Sequence, residues 1–193
     1  MVEFAIGVHA ASRFAWEYDF KVPDSARDPA PVAAAVGQPV QTVFMTLHWK
    51  VVIDANDPHA QADFWAETLG YVVEDNSALI EELLGAGVVT EAATVEPHGH
   101  RAWRDLAAVR HPDDPYERKS GTGLGRRLLF QRVPEPKTVK NRLHLDVHTD
   151  PGQREAEAER LVGLGASVLR TVEEPGGSWQ VLLDPEGNEF CVH

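Results

Sequence analysis

Two stretches of the chain follow one plan, and that duplication limits the fold more than any other feature. The first is LHWKVVIDANDPHAQADFWAETLGYVV (47–73) and the second is LHLDVHTDPGQREAEAERLVGLGASVL (143–169). Each runs from an alternating strand through an Asp-Pro pair into an amphipathic helix, then to Leu-Gly and a further apolar run. In both, Asp (Asp57, Asp150) is expected to cap the helix start and Pro (Pro58, Pro151) to occupy its first turn. Gly70 and Gly165 are expected to end the helices by turning left-handed. The first helix would bury Phe64, Trp65 and Leu69, and the second Ala158, Leu161 and Leu164.

Strand signals follow each helix. ASVLRTV, SWQVLL and EFCVH are separated by the turn-forming clusters EEPGG and DPEGN, so the second copy reads strand, helix, three strands. The first copy follows the same order with a long insertion: ALIEELLGAG predicts an extra helix, WRDLAAVRHP a short strand and GRRLLFQRV the closing strand. The glycine run GTGLG, Gly121–Gly125, precedes a strand instead of opening a helix. It therefore predicts a mobile turn and not a phosphate loop.

Ahead of this plan, residues 22–41 hold four prolines and few large apolar groups, which suits a linker. Residues 1–44 are expected to be an amino-terminal extension and linker, and 45–193 the folded domain, with module one at 45–134 and module two at 141–193. The net charge of -12 repels phosphate backbones, so nucleic acid is excluded as a partner. No apolar run approaches the roughly 20 residues that span a bilayer, so no membrane partner is expected. A single cysteine, Cys191, rules out an internal disulfide and fits a reducing, cytoplasmic setting.

The strand RLHLDVHTDP (142–151) places His144, Asp146 and His148 on one face and Leu143, Leu145 and Val147 on the other. Two imidazoles and a carboxylate along one face suit a lined cavity, where they bind ligands or move protons. They also suit plain solvent exposure. His98, His100, His111, Asp113 and Asp114 lie in polar loops of the insertion, without a framework to fix ligand geometry.

The ordered set ADFWAETLGY, LLFQRVPEPKTVKNRLHLDV and DPEGNEFCV resembles the vicinal oxygen chelate superfamily, in particular its glyoxalase-like, bleomycin-resistance-like branch. The resemblance covers about residues 46–193. It implies an α+β fold of two βαβββ modules whose curved mixed sheet surrounds a cup-like cavity, with the long insertion in the first module. It also implies a small-molecule ligand in the cup and a homodimer. Family members include metal-dependent lyases, isomerases and dioxygenases alongside metal-free proteins that sequester a drug, so the fold alone does not choose the chemistry.

By that resemblance the family's ligand positions fall on Lys50, Gln131 (or, with a shift of register, Leu129), His144 and Cys191. Lysine offers no acceptor to a cation and its charge opposes one. The expectation is therefore a cup without a metal or other cofactor, binding a small organic molecule. The alternative is a lyase or isomerase using a divalent ion such as Zn, Ni or Mn. His144 and Lys50 are the candidate catalytic groups. Gln131, Asp146, His148, Cys191, Glu189, Trp49 and Trp103 are the candidate ligand contacts, and Trp179 is a further aromatic contact.

Overall fold

The computed structural model describes residues 49–193. The extension expected over 1–44 lies outside the described residues. The fold is that of the unit Val51–His193.

Module one opens with β1 (Val51–Ala55), a β-branched run. Helix α1 (Pro58–Leu69) follows, and both ends obey the sequence. The Asp57 carboxylate accepts the backbone N–H groups of His59 and Ala60 at 3.1 and 3.2 Å. Pro58 fills the first turn, and Gly70 ends the helix at φ 64°. After β2 (Val72–Val73) comes the insertion. It comprises α2 (Ser77–Gly85), two single 3₁₀ turns, and an antiparallel hairpin of β3 (Thr94–Val95) and β4 (Ala102–Trp103). Strands β5 (Leu106–Arg110) and β6 (Arg127–Arg132) complete a sheet ordered β1-β6-β5-β2, in which only β1 and β6 run parallel.

Module two repeats that order. Strand β7 (Asp146–Val147), helix α3 (Arg154–Gly163) and strands β8 (Ser167–Glu174), β9 (Gly177–Leu183) and β10 (Glu189–Val192) form a sheet ordered β7-β10-β9-β8. Again the first strand pairs in parallel with the last, and the other neighbours are antiparallel. The mixed α+β architecture expected from the sequence is present, and neither sheet closes into a barrel.

The helix start in module two departs from the expectation. Asp150 does not cap α3 and Pro151 is not in its first turn; α3 begins at Arg154 after Gln153, with no side-chain cap. The Gln153 N–H instead donates to the Asp150 carbonyl at 3.0 Å, and Gly152 sits at φ 81°. Pro followed by a left-handed Gly is a type II turn, which spends the Asp-Pro pair three residues too early.

One core serves both modules. Phe64 and Trp65 of α1 meet Phe190 of β10 edge-on, at centroid distances of 6.1 and 5.2 Å. Phe130 and Val109 of the first sheet, Leu182 and Val192 of the second, and Ala158 and Leu161 of α3 belong to the same buried cluster. Leu69 packs partly against it. Leu164, expected inside, is exposed because α3 ends one residue earlier. A polar clasp adds to this core: Glu186 of the DPEGN turn accepts the N–H groups of Asn56 and Asp57 at 2.8 and 2.7 Å. Among the described residues no helix is long and apolar enough to cross a membrane.

Candidate functional site

The pleat of the second sheet determines which groups meet. Leu145, Val147, Phe190 and Val192 turn into the core, so their neighbours in sequence turn to the opposite face. Register places Asp146 beside Cys191, and Cys191 beside Val181. Two residues along each strand, His148 and Trp179 flank His193, and at the other end His144 accompanies Glu189.

The contacts follow that lattice. His144 Nε2 lies 3.3 Å from Asp146 Oδ1, and His193 Nε2 lies 3.7 Å from Asp146 Oδ2. The His193 ring stacks on Trp179 at 5.7 Å and lies 5.1 Å from His148. His193 Nε2 is buried without a hydrogen-bond partner, an unmet donor or acceptor beside the cluster. Donor atoms of His144, Asp146 and Cys191 all lie within 4.8 Å of one another. A groove of about 480 Å³ runs past Asp146 and His148 toward Glu157 of α3.

Charge is distributed unevenly along β10. Burial pushes the Cys191 thiol above its ordinary value, and the neighbouring Asp146 carboxylate pushes the same way. The group is therefore a thiol and not a ready thiolate. Burial would also raise Glu189, but the Asn141 N–H and the Lys137 ammonium, each 3.0 Å away, outweigh it and bring the carboxyl down to about 2. Glu189 is thus engaged in fastening the segment between the modules.

Of the residues singled out from sequence, the structure brings His144, Asp146, His148 and Cys191 to one face, with Glu189 at its end. Gln131 lies on β6 of the first sheet, paired in register with Asp54 and Leu106. Trp103 is only 6% exposed, and its carbonyl accepts from or faces His59 Nε2 at 2.9 Å; it belongs to the packed hairpin and not to this face. Trp49 is 84% exposed, and Lys50 is half-buried just before β1. Alternation past Cys191 also places His193 on this face with Glu189, as the sequence indicates, and the structure adds its ring contacts.

The side chains of His144, Asp146 and Cys191 are all of metal-ligand type. Donors about 2.0–2.3 Å from one ion lie roughly 3.3–3.8 Å apart in a tetrahedron, so separations of up to 4.8 Å close with small side-chain adjustments. Thiolate, imidazole and carboxylate together suit zinc better than magnesium or calcium.

A family model for the glyoxalase-like domain matches residues 50–193. The chain belongs to that family. Its backbone is also similar to several solved structures. One is a glyoxalase/bleomycin resistance protein/dioxygenase family enzyme from Burkholderia phytofirmans, at 15% identity and TM-score 0.45, covering 74% of this chain and 94% of that one. Another is the fosfomycin resistance protein FosX from Mesorhizobium loti, at 11% identity and TM-score 0.48, covering 78% and 92%. A third is the bleomycin-binding protein from Streptomyces verticillus, solved with copper(II)-bleomycin, at 19% identity and TM-score 0.42, covering 78% and 97%. Separately, 30 residues are 77% identical to an uncharacterized HTH-type transcriptional regulator of Streptomyces coelicolor; the match spans 16% of this chain and 11% of that protein.

Proposed function

We propose that this glyoxalase-like protein binds a small, partly apolar organic molecule against the open face of the second sheet. The observation that carries the reading is the convergence of His144, Asp146 and Cys191 beside the stacked rings of His193 and Trp179. Aromatic rings supply contact area, and a few convergent polar groups set orientation. Asp146 lies between two imidazoles, and the unpartnered Nε2 of His193 is left to meet the ligand. His144, about half exposed, is the group placed to give or take a proton. No metal is needed for this binding. A cytoplasmic setting is proposed on the single cysteine, and a homodimer on the family resemblance alone.

A second reading has its own support, the close approach of three metal-competent donors. In it, His144, Asp146 and Cys191 would hold a divalent ion such as Zn, Ni or Mn, which supplies Lewis acidity to a substrate carbonyl in a lyase or isomerase. Binding would release the Cys191 proton, so affinity rises with pH.

Metal-stripped protein titrated with a library of small carbonyl and aromatic compounds, followed by tryptophan fluorescence and melting temperature, separates the two. Saturable shifts that vanish in Asp146→Asn are expected. Shifts seen only after one equivalent of zinc is added would replace the first reading with the second, and none under either condition would remove both.

A further inference from the structure

We propose a second binding site in module one, beneath the β3–β4 hairpin, that takes a small apolar molecule carrying a basic nitrogen. The site is a cavity of about 300 Å³ between α1, the end of β2, the start of β5 and the hairpin loop, at the lower end of the size range for small-molecule pockets. None of its lining belongs to the His144–Cys191 face.

Its walls and its charges point to different parts of one ligand. Val73, Ala102, Leu106 and Ala107 supply an apolar surface. Among the charged groups, Arg101 is engaged by Glu91 and lies 3.7 Å from Glu96. Glu74 is engaged by Arg127 at 2.7 Å and by the Gly123 N–H. The remaining carboxylates are Asp75 and Asp63, the latter held by a histidine and not by a permanent cation. Asp63 meets His98 Nε2 at 2.9 Å. Asp75 accepts the Ser77 N–H at 2.9 Å, and its hydrogen bonds to Ser77 keep it ionised. Two carboxylates at the rim of an apolar cavity favour a cationic head on a hydrophobic body.

The hairpin that covers the cavity is held under tension. His98 has φ 54°, the one positive value outside glycine among the described residues. An imidazole residue in that region is strained, and such strain gathers at ligand clamps. It persists here because the ring is anchored on Asp63, while His59 Nε2, 2.9 Å from the Trp103 carbonyl, ties the other arm of the hairpin to α1. Releasing the first tie lets the loop lift and the cavity open.

The test uses the full chain, with phenethylamine and benzamidine as probes and 2-phenylethanol and benzamide as uncharged counterparts, followed by NMR of the backbone amides and imidazoles. Saturable shifts are expected at His98, His100 and Leu106, with the amines binding at least about tenfold more tightly than the neutral analogues. Asp75→Asn weakens the amines by about tenfold or more. Ala102→Phe, which fills the cavity without touching a charge, abolishes binding, and Asp146→Asn leaves it unchanged. Equal affinity for charged and neutral probes, shifts confined to His144 and His193, or no saturable shift in the millimolar range overturns the proposal.

Discussion

Glu189 and Cys191 stand two residues apart on one strand face and shift in opposite directions, because cationic and N–H partners outweigh burial at Glu189, whereas burial, and after it the Asp146 carboxylate, raises Cys191. For Glu189 the folded pKa of about 2 lies below its ordinary 4.5. Its pairing therefore adds stability above about pH 4.5 and loses that contribution as the pH falls toward 2. Urea unfolding of the parent and of Lys137→Met is expected to differ most above pH 4.5 and to converge near pH 2; parallel curves would show that the ion pair contributes nothing. At this scale the sequence was informative where alternation reached. His144, Asp146 and His148 share a face because each is two residues from the next. That Glu189 is engaged by Asn141, 48 positions away, has no local signature. The same holds for the stacking of His193 on Trp179.

Among elements, glycines and caps mark where local signals succeed or fail. The Asp57 cap of α1 formed as the sequence indicates, whereas the matching Asp-Pro in module two became a turn because Gly152 follows it. GTGLG, which suggests a mobile turn, is instead pressed against the β2–α2 segment. A Cβ on Gly121 would lie 2.2 Å from the Asp75 carbonyl oxygen, and its φ of 72° is strained for any side chain. Gly121→Ala is thus expected to lower stability by about 1–3 kcal/mol, read from the urea midpoint. An unchanged midpoint would mean that this loop yields freely. Close approach between segments more than forty residues apart is invisible to a local pattern, so the turn was legible and its packing was not.

For the whole molecule, the duplicated plan indicated strand, helix and three strands twice; the structure lays these out as two four-stranded sheets and adds that they are not independent. Phe190, Leu182 and Leu161 of module two bury themselves with Phe64 and Trp65 of α1. A fragment spanning 134–193, about 60 residues, would expose that surface and lies near the size at which domains become marginal. Expressed alone it is expected to lack a cooperative thermal transition by circular dichroism, while the full chain shows one. A sharp transition in the fragment would mean that module two folds unaided.

The parallel pairing of β7 with β10 also sets an order of events. Strand β7 lies at the sheet edge, and its neighbour is the last strand of its module. A nascent chain halted before residue 189 would carry His144 and Asp146 with nothing to align them, since the thiol and the second imidazole arrive only with the closing strand. The face that carries these groups is therefore completed only when β10 has paired with β7, late in the chain's own order and not by any local signal.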